Sequence, residues 1–234
     1  MKQIENVFFD LDRTLWDFET NSKVAIENLF EELKLSEKIA SFDSFHATYR
    51  KINGHYWDLY SKGGITKEEL RSIRFIDTLK SFDIADEKLG IQLGDLYIKT
   101  APYQTHLFPD TISTLQTLKE ADYKLHIITN GFKEVQFIKL QKSGLIDFFD
   151  DILCSEEVGK NKPHPSVFKT ALERNKAKSD QSIMIGDDFQ ADVLGAESCG
   201  IQGVLFDPNN NYKARNEITK IINLNQIHDI LLGI

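Results

Sequence analysis

Residues 8–17 read FFDLDRTLWD. Val7 and the two phenylalanines make a short apolar run, Val7 to Asp10, of the kind that forms a strand buried on both faces. Asp10 and Asp12 stand at its end with Thr14 two residues on, and alternation along an extended chain turns both carboxylates to one side. Like charges that close repel unless a cation or a proton comes between them, so the pair implies a metal or a split in pKa. Taken alone, an Asx-turn at a strand end would also account for it.

Four later runs have the same apolar character and polar ends: Leu125 to Thr129, Ile152 to Ser155, Ile183 to Gly186, and Val204 to Phe206. Helical spacing of apolar residues marks Pro109 to Ala121, Lys133 to Ser143, Pro165 to Lys176 and Gln190 to Ser198. Gly144 and Gly200 stand where helix C-caps belong, and Pro165 suits a first turn. The stretch Ile218 to Ile234 reads as a strand, Lys220 to Asn223, and a short amphipathic helix from about Gln226. Strands alternating with helices give an α/β class with a Rossmann-like parallel sheet flanked by helices on both faces. Ligands bind beyond the carboxyl ends of such strands.

After Asp10 this rhythm breaks, since about a hundred residues precede the next strand, far more than a crossover needs. Thr20 to Leu33, Phe42 to Lys62 and Thr66 to Phe82 read as helices, the last opening on a Thr66…Glu69 capping box. The expected organisation is a core of residues 1–17 and 107–234 carrying an inserted α-helical cap domain, residues 18–106, which would serve as a lid. Tyr49, Tyr56, Trp57 and Tyr60 share helical spacing with Ile52 and Leu59, so core packing is expected of them. Trp16 and Phe132, just beyond two of the strand ends, are expected to border a pocket.

With 41% hydrophobic residues in 234, the chain has enough apolar mass for a sizeable core. Lys and Arg number 28 against 36 Asp and Glu, and the net charge of −8 argues against affinity for a nucleic-acid polymer. An anionic substrate must then be drawn in by local positive charge. No apolar window is long enough to span a membrane, and MKQIENVFFDLD lacks the pattern of a secretion signal, so a cytoplasmic protein without membrane contact is expected. Cys154 and Cys199 lack metal or redox spacing and are expected in the core.

Three more segments supply polar groups at strand ends or helix starts. KLHIITNGF ends in Thr129, Asn130 and Gly131, whose hydroxyl, amide and backbone N–H suit phosphate oxygens. SEEVGKNKPHPSVF places Lys162 ahead of a helix N-terminus, where it could neutralise a phosphoryl group and a nearby carboxylate. SIMIGDDFQADVLGA sets Asp187 and Asp188 after a strand and Asp192 in the next helical turn, hard oxygen donors of the kind magnesium takes. Each has an ordinary reading as a turn, a solvated loop or a helix cap. Together they lie on the side of a parallel sheet where a site must form.

On these residues the chain resembles the haloacid dehalogenase superfamily, whose phosphatases carry DxDxT, a strand ending in Thr or Ser, a Lys, and an acidic GDDxxxD block. Here these are Asp10-Leu-Asp12-Arg-Thr14, Thr129, Lys162, and Gly186-Asp187-Asp188 with Asp192. The resemblance implies a magnesium-dependent phosphomonoester hydrolase with Asp10 as nucleophile and Asp12 as general acid, then base. It implies that Thr129 and Lys162 bind the phosphoryl group, and that Asp10, the Asp12 carbonyl and Asp187 hold the metal. Asp188 and Asp192 would be direct or outer ligands, in no settled order. ITNGF, SEEVG with its KP, and GGIT look like the branch of 5′-nucleotidases acting on pyrimidine and non-canonical nucleoside monophosphates. Arg13 departs from the pattern where many relatives have Gly. The implied partner is a small-molecule phosphate monoester, and a monomer or small homo-oligomer is expected. The competing readings are a sugar phosphomutase, a phosphatase of other small phosphometabolites, and a non-catalytic binding protein on the same fold. A dehalogenase would leave the carboxylate set unexplained.

Overall fold

Asn6–Phe9 forms strand β1, all four residues buried, and alternation sends Val7 and Phe9 to one face of a sheet and Phe8 to the other. The computed structural model describes residues 4–213 and 218–233; Ile234, the end of the last stretch read above, lies outside them. The other strands are β2 (Lys124–Thr129), β3 (Asp151–Cys154), β4 (Ser182–Gly186), β5 (Gln202–Phe206) and β6 (Lys220–Ile221). Helices α1 (Phe18–Glu32), α2 (Phe42–Ser61), α3 (Lys67–Lys80) and α4 (Glu87–Thr100) lie between β1 and β2. Beyond them come α5 (Thr111–Glu120), α6 (Lys133–Lys142), α7 (Pro165–Asn175), α8 (Gly195–Glu197) and α9 (Ile227–Leu231).

The sheet runs β3-β2-β1-β4-β5-β6, and every pairing is parallel. On one face Val7, Phe9, Ile127, Ile185 and Val204 pack with Leu118 of α5, Leu140 of α6 and Ile227 of α9. On the other, Phe8, Ile128 and Met184 meet Val167 and Phe168 of α7 and Ala196 of α8. The chain leaves β1 for β2 and β3, then passes back to β4, and this reversal opens a crevice at the carboxyl ends of β1 and its neighbours.

The chain divides into two compact units, one of Met1–Phe18 with Thr105–Ile234 and one of Glu19–Gln104. The second unit has its own core, in which Ile26, Leu29, Phe45, Tyr49, Phe75, Leu79 and Leu93 pack together. Thr66 and Glu69 form the reciprocal capping box at the start of α3. Helix α4 has no counterpart in the sequence reading, because Gly90 and Gly94 weaken its helical pattern. Packing explains them: a Cβ on Gly90 would lie 2.4 Å from Ile76 Cγ1, and one on Gly94 would lie 2.5 Å from the Arg71 carbonyl oxygen. One turn apart, the two glycines let α4 approach the backbone of α3.

Several expectations need correction. Gln190 to Ser198 is a π-helical turn, Phe189–Leu194, followed by the short α8. Of the four aromatics only Tyr49 is core; α2 buries Phe45, Tyr49 and Asn53 along one i,i+4 row, and Trp57, next on that row, is half-buried like Tyr56 and Tyr60. Trp16 is 1% exposed and belongs to the core rather than to a pocket edge. Cys154 is buried, but Cys199 is only partly so. Among the described residues no helix is long and apolar enough to cross a membrane.

Candidate active site

β1, β2 and β4 end side by side, and each hands a polar side chain to the crevice. Asp10 directly follows β1, its amide held by the Ile185 carbonyl at 2.9 Å, and the residue is 7% exposed. Lys162, 4% exposed, donates from Nζ to Asp10 Oδ1 at 2.8 Å, to Asp192 Oδ1 at 2.6 Å and to the Ile128 carbonyl at 2.6 Å. All three ammonium protons are thereby used. Asp10, Asp187 and Asp192 each offer an oxygen within 4.8 Å of the others.

Three carboxylates around one ammonium leave surplus negative charge in a space poor in water. Burial pushes Asp10 up to about 7 against the pull of Lys162, with Asp192 adding to the rise. Burial and the charges of Asp10 and Asp192 push Asp187 up to about 8. Burial likewise raises Asp192. For Lys162, burial works to lower the value, but Asp10 and Asp192 outweigh it and hold the ammonium charged.

Asp188 and Asp192 differ in what they touch. Asp188 is exposed and caps the π-helical turn, Oδ1 accepting from the amides of Gln190 and Ala191, both at 2.9 Å. Asp192 is 1% exposed, with Oδ1 on Lys162 and Oδ2 accepting from the Asp188 amide at 3.1 Å. The π turn curls its carboxyl back over Gly186, where a Cβ would lie 2.2 Å from Asp192 Oδ2. No hydrogen-bond donor among the described residues reaches the Asp187 carboxylate. Asp10 and Asp192 each accept two hydrogen bonds, the second on Asp10 being a long one from Thr14 Oγ1 to Oδ2 at 3.4 Å, so Asp187 has the most unused lone pairs, and the hard, buried oxygens of this cluster fit a divalent cation such as magnesium.

Thr129, at the end of β2, accepts at Oγ1 from Gly131 N at 3.1 Å and from Gln136 Nε2 at 2.7 Å. Both lone pairs are taken, so its hydroxyl proton is left to donate. The Asn130 amide is engaged with the main chain of Lys162: Oδ1 accepts from Lys162 N at 2.8 Å and Nδ2 donates to Lys162 O at 3.2 Å. Asn130 thus fixes the lysine loop, and the Gly131 amide fixes Thr129, where the sequence suggested phosphate donors.

Asp12 lies apart from the acidic trio. Lys139 Nζ reaches its Oδ1 at 2.6 Å and its Oδ2 at 2.8 Å, and Gln136 Nε2 donates to Oδ2 at 3.0 Å. Lys139 is 5% exposed and sits 4.4 Å from the centroid of the Trp16 ring. Burial pulls its ammonium below the ordinary value, opposed by Asp12. Sequence reasoning missed Gln136 and Lys139. In the folded chain both face inward, Gln136 and Lys139 being buried while Val135, Phe137 and Ile138 are only half-buried, an orientation that no spacing in the sequence signals. Arg13 has φ 68°, the left-handed conformation that glycine adopts freely, and its guanidinium lies 4.2 Å from the Phe18 ring centroid. That conformation explains why Gly is common there among the proteins the motif resembles.

The sequence profile of the haloacid dehalogenase-like hydrolases matches residues 7–206, so the chain belongs to that family. Among solved structures, the HAD-hydrolase YfnB from Bacillus subtilis bound to magnesium superposes with a TM-score of 0.88, 27% identity, and coverage of 99% of this chain and 100% of that one. The ribulose-1,5-bisphosphate 5-phosphatase of Halopiger xanaduensis is 32% identical over 86% of this chain and 84% of its own length. The pyrimidine 5′-nucleotidase YjjG of Escherichia coli is 30% identical over 83% of this chain and 82% of its own.

Proposed function

We propose that this hydrolase cleaves phosphate monoesters through an aspartyl-phosphate formed on Asp10, and that its substrates are nucleoside 5′-monophosphates. The observation that carries the chemistry is the convergence of Asp10, Asp187 and Asp192 on one another, with Lys162 bridging Asp10 and Asp192. Asp10, Asp187 and the Asp12 main-chain carbonyl would hold magnesium, which when bound offsets the charge of a phosphate dianion and of the carboxylates around it. Asp192 and Asp188 then serve from further out, Asp192 by holding Lys162 and Asp188 by capping the turn that carries Asp192.

The residues divide the work as follows. Lys162 and the Thr129 hydroxyl donate to the phosphoryl oxygens, where negative charge must be stabilised. The Asp10 oxygen not held by Lys162 attacks phosphorus, and the bond to the ester oxygen breaks as Asp12 gives that oxygen a proton. Asp12 then takes a proton from water as the water oxygen attacks the acyl phosphate. Inorganic phosphate leaves, and the Asp10 carboxylate and protonated Asp12 are restored. The helical insertion, residues 18–106, is assigned as the cap domain that reads the leaving group.

The nucleotide assignment draws on ITNGF, SEEVG and GGIT and on the similarity to a pyrimidine 5′-nucleotidase. The similarity to a ribulose bisphosphate phosphatase favours a second reading, a phosphatase of small sugar phosphates. A panel of nucleotides and sugar phosphates, run with magnesium, with chelator and with Asp10→Asn, tests both levels. Turnover of sugar phosphates but of no nucleotide would reject the substrate class, and full activity of Asp10→Asn would reject the nucleophile.

A further inference from the structure

Helix α6 turns a lysine and a glutamine into the core, one turn apart, and both end on the same carboxylate. We infer that Lys139, with Gln136, is a positioning residue for Asp12, fixing the direction from which that carboxyl exchanges its proton with the leaving group. The inference rests on the phosphatase reading above and adds residues that no motif in the sequence marked.

Three observations support it. Both oxygens of Asp12 are engaged from α6, by Lys139 at 2.6 and 2.8 Å and by Gln136 at 3.0 Å, so the carboxyl plane is fixed rather than free to rotate. Gln136 also donates to Thr129 Oγ1 at 2.7 Å, so a single side chain sets the spacing between the proton-transfer group after β1 and the hydroxyl at the end of β2. Gly131 is shaped around this link, since a Cβ there would lie 2.3 Å from Gln136 Nε2. Trp16 backs the lysine, and Asp12 is the only carboxylate of the described residues within ion-pair distance of it. A purely structural ion pair would not need a second donor shared with Thr129.

The test uses leaving groups of different basicity. p-Nitrophenolate departs readily without a proton, whereas an alkoxide needs one, and general acid catalysis contributes roughly 10²–10⁴-fold where it is needed. Because kcat/KM covers the steps through departure of the leaving group, Lys139→Met should lose about 30-fold or more on β-glycerophosphate and only about threefold on p-nitrophenyl phosphate. Lys139→Arg should recover part of the alkyl-ester loss. Equal losses on the two esters, or no loss on either, overturn the inference. Should Lys139→Met fail to fold, Gln136→Leu carries the same test with a smaller split between the esters, and equal losses there overturn it as well. A wild-type protein that with magnesium hydrolyses neither these esters nor any nucleotide or sugar phosphate of the panel removes the phosphatase reading itself, a different outcome from an active enzyme whose variants show no split.

Discussion

Acidification should weaken magnesium binding far more steeply at this cluster than at an exposed carboxylate site. Without metal, Asp10 and Asp187 are pushed up to about 7 and about 8, above the ordinary 3.8. Stability tied to such raised groups is complete below about pH 4 and is lost as the pH climbs through about 7 and about 8. A bound cation restores it, but below those values it must displace protons. Between pH 8 and pH 6 the ionised fraction drops about tenfold for a group titrating near 7 and about fiftyfold for one near 8. Taken together for an interacting pair, the apparent dissociation constant should rise by on the order of 10²–10³, about 3–4 kcal/mol. Calorimetric titration of magnesium into chelator-stripped protein at pH 8, 7 and 6, in two buffers of different ionisation enthalpy, reads both the constant and the protons released. A change under about fivefold with no proton release would refute the claim that these buried carboxyls hold the ion.

Other consequences of the structure are as open to measurement. Gly186→Ala should cost about 1–3 kcal/mol in urea unfolding and at least about tenfold in turnover, because the added methyl collides with Asp192 and dislodges its grip on Lys162; unchanged stability and rate would count against that steric account. His126 is held by burial down to about 4, below its ordinary 6.5, so the stability it contributes is complete above about 6.5 and is lost as the pH falls toward 4. The loss is about 3 kcal/mol in all, and His126→Gln should flatten that part of the profile in paired unfolding curves at pH 7 and 4.5. Cys199 should react with a thiol reagent in the native protein while Cys154, buried and with its thiol pushed up to about 12, reacts only after unfolding; equal rates for the two would contradict this.

What was legible in the sequence followed physical redundancy. Strands β1, β2 and β4 are buried on both faces, so their apolar runs stand out, and the polar residue closing each run marks where the crevice lies. The bounds shift by a residue or two because the ladder ends where hydrogen bonds end, as at Lys220–Ile221 against an expected Lys220 to Asn223. Helix α4 was hidden because its glycines answer to α3, a neighbour that no local window contains. Gln136 and Lys139 were hidden for a similar reason: polarity on an inward helix face has meaning only once Asp12 is known to lie opposite. The hydrogen-bond partners of Asn130 and Asp188 could not be read from the sequence, because they depend on loop geometry that spacing does not specify.

Where the chain departs into its helical insertion and where it comes back, the two backbone segments are already tied. Trp16 bridges Leu107 in antiparallel fashion, Phe108 N donates to Leu15 O at 3.0 Å, and Asp17 N donates to His106 O at 3.1 Å. The ends of the insertion are therefore neighbours by the core's own hydrogen bonds, and the entropy of closing that loop depends only weakly on how much polypeptide it contains. Such a junction works as a socket. Segments of very different length and shape can be exchanged at it without rethreading a single strand of the sheet.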